Sequence, residues 1–77
     1  MAPLVEPNTA AFPSEIIPIS PAEQRVLTLM LRGLSNGAIA HTLRLSRRTV
    51  EGHVSTLLRK TGCHNRTQLV LWALGQR

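Results

Sequence analysis

Residues 46–61 hold the side chains whose types and spacing could do chemistry. On a helix that turns about 100° per residue, one face carries Arg48, Gly52, Ser55 and Arg59, and the flank beside it carries Thr49, His53, Thr56 and Lys60. Hydroxyl, imidazole, ammonium and guanidinium groups can all donate hydrogen bonds to phosphate oxygens. This pattern predicts that a polyanion binds to one exposed, basic side of a helix.

The other side of the same stretch is apolar, and it predicts how the helix is held. A seam of side chains falls within about 60° on the helix surface, and it consists of Val50, Val54, Leu57 and Thr61. Ser46 is suited to cap the start of the helix, and Gly62 is suited to end it. We therefore expect a helix from Arg47 to about Thr61, with this seam facing a core.

Gly52 lies in the middle of the basic face, where glycine costs about 1 kcal/mol relative to alanine. A helix that enters the major groove of DNA gains from a small residue, because its backbone comes nearer to the bases. The alternative is that Gly52 is a tolerated surface residue. The helix alone leaves both interpretations open.

The composition limits what the rest of the chain can be. Its 77 residues make one domain, and one Trp, one Phe and no Tyr argue against a β-sandwich and against aromatic platforms that stack bases. Residues 1–18 contain two glutamates and no basic residue, whereas residues 19–77 contain all nine Lys and Arg and two glutamates, a net charge of +7. A net charge of this size favours a polyanionic partner. The alternative is that the charge only keeps the domain soluble.

Several other functions lack the residues they need. Cys63 is the only cysteine, so no internal disulfide can form, and the chain suits a reducing compartment. We expect a buried, unreactive thiol there, with a redox-sensing thiol as the alternative. The spacing of Cys63, His64, His53 and His41 fits no zinc site, so no metal or other cofactor is predicted. No catalytic set of residues is visible, and we do not expect an enzyme.

The chain also lacks the signals of secretion and membrane insertion. Its N-terminus has no basic segment followed by an apolar run, so no signal peptide is expected. No apolar stretch approaches the roughly 20 residues that span a bilayer. We therefore expect a cytoplasmic location and no membrane partner.

Four helices are predicted to position the basic side, after an N-terminal arm. Pro3, Pro7, Pro13 and Pro18 oppose a long helix over residues 1–18, so an extended or disordered arm or linker is expected there. Residues 19–77 then form the domain. The residues suited to cap its helices are Ser20, Ser35, Ser46 and Asn65.

The second and third helices are joined by a short turn. The first helix opens with a capping box of Ser20 and Glu23 and ends at Gly33. The second runs to about Leu43, and residues 43–45 form a tight turn before the cap of the third. Two short helices joined by about three residues are the outline of a helix-turn-helix.

The order of these motifs closely resembles the LuxR/GerE-type helix-turn-helix, the DNA-binding domain of NarL-like response regulators and quorum regulators. The resemblance covers about residues 19–74 and rests on "GLSN" (33–36), "IA" (39–40), "LS" (45–46), "TVEGH" (49–53), "LLRK" (57–60) and "NRTQ" (65–68). It implies an all-α domain of four helices whose third helix, about residues 47–61, enters the major groove of double-stranded DNA.

The resemblance and the basic side together imply roles for individual residues. The predicted base-facing residues are Arg47, Arg48, Glu51, Gly52 and Ser55, with the two arginines near the groove edge. The predicted phosphate contacts are Thr49, His53, Arg59, Lys60, Asn65, Arg66 and Thr67. The last three begin the fourth helix, where backbone N–H groups favour an anion. The predicted dimer stripe is Thr67, Leu71 and Leu74.

Several positions stand out against the pattern of the family. The second helix has Gly37-Ala38 where a charged pair with a capping glutamate is usual, so we expect a less stable helix. Arg44 stands where glycine is common, and a positive φ there would cost about 1 kcal/mol. Glu51 is acidic at a base-facing position, where it could accept a hydrogen bond from cytosine or repel wrong sites.

The predicted function is sequence-specific DNA binding by a bacterial transcriptional regulator, as a homodimer through the fourth helix. One alternative is a module similar to the fourth region of a sigma factor, which would also contact RNA polymerase. Another is a lone module that heterodimerises with another regulator. The "NRTQ" start and the apolar fourth helix favour the first interpretation. Trp72 is expected to pack in the core or at its edge, and contact with another domain is the alternative.

Overall fold

Helices and short turns account for the described part of the chain. A computed structural model describes residues 18–75. The helices are α1 (Pro21–Leu31), α2 (Asn36–Leu43), α3 (Arg47–Thr61) and α4 (Arg66–Ala73), and residues 18–75 contain no strand. The predicted all-α fold of four helices is confirmed. The arm predicted for residues 1–18 lies outside the described residues except for Pro18.

A polar side chain caps the first turn of every helix, as predicted. Ser20 Oγ accepts a hydrogen bond from Glu23 N at 3.1 Å, and Glu23 Oε1 accepts one from Ser20 N at 3.0 Å, which completes the capping box. Ser35, Ser46 and Asn65 accept in the same way from the backbone N–H group three residues ahead. These bonds satisfy N–H groups that have no partner inside the helix, so the caps determine where the helices begin.

Left-handed backbone conformations follow the first three helices. Gly33 has φ 88 and Gly62 has φ 75. Arg44, the C-cap of α2, has φ 60 and ψ 43, and no other described residue except glycine has a positive φ. Arg44 therefore has the positive φ that was considered for a position where glycine is common. The turn is closed by a hydrogen bond that Leu45 N donates to Ala40 O at 2.9 Å.

The core lies where the four helices meet. Its buried side chains are Val26, Leu27, Met30, Ile39, Ala40, Val50, Leu57 and Leu69. In the predicted seam of α3, Val50 and Leu57 are fully buried, whereas Val54 and Thr61 are half-buried. Burying one large apolar side chain stabilises the fold by about 1.5–3 kcal/mol, so the seam decides which side of α3 stays in solvent.

α3 is the central element of this packing. It packs against α1, α2 and α4, and α1 also packs against α2 and α4. The backbones of α2 and α4 do not pack against each other within residues 18–75. The position of α2 relative to α4 therefore depends on the packing of both helices against α1 and α3, and on any side chain that reaches between α2 and α4.

Candidate nucleic-acid interface

The side of α3 that faces away from the core is exposed and mostly basic. Arg48, Ser55 and Arg59 are exposed, and their side chains form no hydrogen bond or ion pair with another residue of 18–75. The Glu51 carboxylate is also exposed and has no ion pair within the described chain. These groups are therefore free to bind a ligand from outside the domain.

Gly52 leaves open space in the middle of this face. A Cβ atom added to Gly52 would meet no other atom within 4 Å, and the residue lies in regular helix. Neither packing nor backbone conformation of the free domain therefore requires glycine at this position. Gly52 is therefore either needed for contact with a molecule outside the domain or simply tolerated at an exposed position.

Arg47 extends over the start of α2. A Cβ atom added to Gly37 would lie 2.7 Å from Arg47 Nη2, so the guanidinium lies against the first turn of α2. Arg47 is nevertheless exposed. Glycine at position 37, which departs from the family's usual residue, gives the guanidinium room at the junction of α2 and α3.

The predicted phosphate-binding flank of α3 begins with groups that remain accessible. Thr49 is exposed, and its hydroxyl oxygen accepts a hydrogen bond from Ser46 Oγ at 2.8 Å, which leaves the Thr49 O–H free to donate. His53 is half-buried, and its ring forms no hydrogen bond with another described residue. Both groups can therefore contact an anion beside α3.

Lys60, on the same flank, is engaged with α1. Its ammonium donates to Glu23 Oε1 at 2.7 Å and to Pro18 O at 2.9 Å. Glu23 is 7% exposed, and the hydrogen bond from the Lys60 ammonium, followed by that from the backbone N–H of Ser20, lowers the pKa of its carboxyl. Lys60 joins α3 to α1, which differs from the phosphate contact predicted for it.

The start of α4 is also partly engaged within the domain. Asn65 uses its side-chain oxygen as the helix cap. Arg66 Nη1 donates to Asn36 Oδ1 at 2.7 Å, and Arg66 Nη2 donates to Leu34 O at 2.6 Å. Thr67 is exposed, with no side-chain hydrogen bond to another residue of 18–75. The guanidinium of Arg66 thus points inward, which differs from its predicted phosphate contact.

Sequence reasoning missed the partners of Lys60 and Arg66. Glu23 lies 37 residues from Lys60, and Asn36 lies 30 residues from Arg66. Helical periodicity assigns a side chain to a face but does not say which other helix that face meets. One signal was present, because a capping carboxylate such as Glu23 keeps lone pairs that can accept from a cation.

α4 exposes apolar side chains along the predicted dimer stripe. Leu71 is 53% exposed and Leu74 is 64% exposed, and Thr67 continues the stripe at i, i+4, i+7 spacing. Trp72 is 38% exposed and belongs neither to the buried core nor to the half-buried apolar residues that pack against it. Beside the stripe runs an open groove of about 350 Å³, lined by Met30, Leu31, Gly33, Arg66, Thr67, Val70 and Leu71.

Three further features of residues 18–75 bear on other kinds of chemistry. Cys63 is a half-buried free thiol. This part of the chain has no group of three or more His, Cys, Asp or Glu side chains that could hold a metal ion. It also has no helix that is long and apolar enough to cross a membrane.

A match to a known family identifies this arrangement. The family described as bacterial regulatory proteins, luxR family, matches residues 18–73, which is most of the chain. The chain belongs to the LuxR family. Its matched region is a DNA-binding domain of a transcriptional regulator, and this LuxR family is not a class of enzymes.

Three relatives share this LuxR-family region. Response regulator Rre1 of Synechocystis sp. is 49% identical over 63 residues, which cover 80% of this chain and 27% of that protein. Two-component response regulator PprB of Pseudomonas aeruginosa is 39% identical over 70 residues, 91% of this chain and 26% of that protein. Nitrate/nitrite response regulator protein NarL of Escherichia coli is 29% identical over 77 residues, 100% of this chain and 36% of that protein. The chain thus spans about a quarter to a third of the length of these relatives.

Proposed function

We propose that this LuxR-family domain binds specific sequences in double-stranded DNA by placing α3 in the major groove. The observation that carries the proposal is the exposed face of α3, where Arg48, Ser55 and Arg59 have side chains without partners in residues 18–75 and Gly52 leaves open space. The major groove admits a helix, and side chains there can read the edges of the bases.

The residues of this interface divide between base reading and phosphate contact. The proposed base-facing residues are Glu51, Gly52 and Ser55, with Arg47 and Arg48 at the groove edge. The proposed phosphate contacts are Thr49, His53, Arg59, Thr67 and the backbone N–H groups at the start of α4. The side chains of Lys60 and Arg66 are left out, because both are hydrogen-bonded within the domain.

α4 is proposed to pair with α4 of a second copy of the chain. Leu71 and Leu74 are each more than half exposed, and grouped apolar side chains on a surface often mark an interaction site. A two-fold axis would bring the same stripe of both copies together. Such a dimer would present two copies of α3 to two half-sites in DNA.

The relatives favour a regulator over the module similar to a sigma factor. The three relatives reported above are all named response regulators. We therefore propose a bacterial, cytoplasmic regulator whose partner is DNA. RNA polymerase as a direct partner has no observation of this chain to support it.

Selection of bound duplexes from a random pool, at several salt concentrations, tests the proposal. We expect an enriched motif with two half-sites and an affinity that falls steeply with salt, because each neutralised phosphate releases counterions. Leu74→Glu should retain the half-site but lose the paired arrangement. A pool without an enriched motif contradicts sequence-specific binding. A single half-site for the unmodified chain contradicts the homodimer and leaves pairing with another regulator.

Single substitutions separate the two kinds of contact. Arg59→Ala should weaken binding to all sequences and reduce the salt slope by about one. Ser55→Ala and Glu51→Gln should instead change the preferred sequence. Arg25→Ala is the matched control, because Arg25 is exposed on α1 outside the proposed interface. Equal losses for every sequence at Ser55, Glu51 and Arg59 would contradict this division.

A further inference from the structure

The guanidinium of Arg66 spans the space between α4 and the start of α2. Arg66 is the first residue of α4, and its two terminal nitrogens donate to Asn36 Oδ1 at 2.7 Å and to Leu34 O at 2.6 Å. Asn36 is the first residue of α2. The backbones of α2 and α4 do not pack together, so this side chain bridges two helices that are not adjacent.

The part of α2 that Arg66 holds has little local support. α2 has only eight residues, and Ser35 Oγ caps it by accepting from Ala38 N at 3.1 Å. Ala38 has no side-chain acceptor for the backbone N–H of Ser35, so the second hydrogen bond of a capping box is missing. Gly37 disfavours helix by about 1 kcal/mol relative to alanine. The two hydrogen bonds from Arg66 therefore support the start of α2, which the residues of α2 itself stabilise only weakly.

A change in the position of α2 would directly change the position of α3. α2 packs directly on α3, and only residues 44–46 separate the two helices, with Arg44 held in the left-handed conformation. Arg66 also adjoins the proposed dimer surface, because it lines the same groove as Thr67 and Leu71.

We propose that Arg66 is a positioning residue that fixes α2, and through α2 the DNA-binding helix α3, relative to the dimer helix α4. This inference rests on the proposed DNA-binding function. It replaces the phosphate contact that the sequence predicted for Arg66, and it makes the orientation of α3 depend on a side chain that touches neither base nor phosphate.

The two roles of Arg66 respond differently to lysine. A phosphate contact needs mainly a positive charge, which lysine retains. The positioning role needs two donors held in one plane, which a guanidinium has and an ammonium lacks. Arg66→Lys thus preserves the charge of the domain and removes the bridge.

The first measurement is amide hydrogen exchange of the free domain, by NMR. Arg66→Lys should speed exchange of the α2 amides while the amides of α1 remain protected. Asn36→Ala, which removes an acceptor and no charge, should act in the same direction. Unchanged exchange in α2 for Arg66→Lys overturns the inference, and this result does not depend on whether the domain binds DNA.

The second measurement is affinity for the selected duplex across a range of salt concentrations. We expect Arg66→Lys to weaken binding about tenfold, within the range typical of coupled sites, with an unchanged salt slope. Asn36→Ala should weaken binding as well, and the double variant should lose less than the sum of the two because they share one interaction. Arg59→Lys is the matched control and should bind almost normally, since its proposed role needs only charge.

A different pattern would assign Arg66 to phosphate. If Arg66→Lys binds like the unmodified chain while Arg66→Met reduces the salt slope by about 0.9, the residue is a phosphate contact and the inference is wrong. If the unmodified chain binds no specific duplex, the proposed function fails, and the exchange measurement still decides whether the bridge holds α2.

Discussion

At the scale of single residues, Gly52 illustrates a position that the fold does not explain. The free domain has open space around it and regular helix on both sides. Alanine there would favour helix by about 1 kcal/mol. A close approach of α3 to DNA supplies a reason for glycine that lies outside the domain.

Gly52→Ala should therefore separate stability from binding. We expect the free energy of unfolding, measured with urea, to rise by about 1 kcal/mol, because the new methyl group meets nothing within 4 Å. Affinity for the selected duplex should fall, because the methyl group occupies the space between α3 and the bases. Gly37→Ala is the contrasting variant, since its Cβ would displace the Arg47 guanidinium. Unchanged affinity for Gly52→Ala would mean that Gly52 is only a tolerated surface residue.

Arg44 is a second residue whose backbone departs from the preference of its side chain. Its φ of 60 is unfavourable by roughly 1–2 kcal/mol for a residue with a Cβ atom. This left-handed residue lies in the three-residue connection between α2 and α3. The fold therefore holds Arg44 in a conformation that its side chain disfavours.

At the scale of elements, α2 is the helix with the weakest local signals. It is eight residues long, and its N-terminal turn contains Gly37 and only one capping side chain. The backbone N–H of Ser35 donates no hydrogen bond to another described residue. The missing bond is the one that a glutamate at position 38 would accept in a capping box.

Ala38→Glu should therefore stabilise α2. The new carboxylate can accept from Ser35 N and also lies at the positive end of the helix dipole, for a gain of about 0.5–1 kcal/mol in the free energy of unfolding. Urea denaturation would measure the gain, and slower amide exchange in α2 would locate it. Ala38→Gln separates the two causes, because glutamine can close the capping box without the charge. If neither variant slows exchange in α2, the N–H of Ser35 is not what limits this helix.

At the scale of the whole molecule, the Glu23–Lys60 pair ties the first turn of α1 to the last turn of α3. The carboxylate caps its own helix and binds the ammonium at 2.7 Å. Lys60 also donates to Pro18 O, so the segment that enters the domain is held beside the end of α3. The carboxylate and the ammonium together therefore connect a helix start, a second helix and the entering chain.

Stability should fall in acid because of this pair. The hydrogen bond from Lys60 lowers the pKa of Glu23 in the folded state, so the folded domain binds its proton at a lower pH than the unfolded chain does. The stabilisation is complete above the ordinary glutamate pKa, about 4.3, and is lost as the pH falls through the lowered folded value. Urea denaturation from about pH 6 to pH 3 would measure the loss.

Glu23→Gln is the control for the acid dependence. It should lower the free energy of unfolding at neutral pH by about 1.5–3 kcal/mol, the range for a hydrogen bond to a charged group, and should flatten the fall in acid. Lys60→Met should also flatten that fall, because it removes the first cause of the lowered pKa. An acid dependence that persists unchanged in both variants would assign it to other carboxyl groups.

The sequence by itself determined the four helices, their caps and the basic side of α3. These features depend on residues within one turn of each other, such as Ser20 with Glu23 or Val50 with Leu57, and periodicity reads such neighbours directly. The resemblance added the assignment to a DNA-binding family, and it marked Arg44 as a position where a positive φ would matter. All of these survive in the structure and in the family match.

Only the tertiary structure decided which basic side chains are available to a ligand. Lys60 and Arg66 belong to the same sequence motifs as the exposed arginines, yet they bind Glu23 and Asn36 across 37 and 30 residues. Local spacing cannot state which helix a face will meet, because that depends on how all four helices pack around one core. The physical division is between interactions within a turn, which the sequence displays, and hydrogen bonds between helices, which exist only after packing.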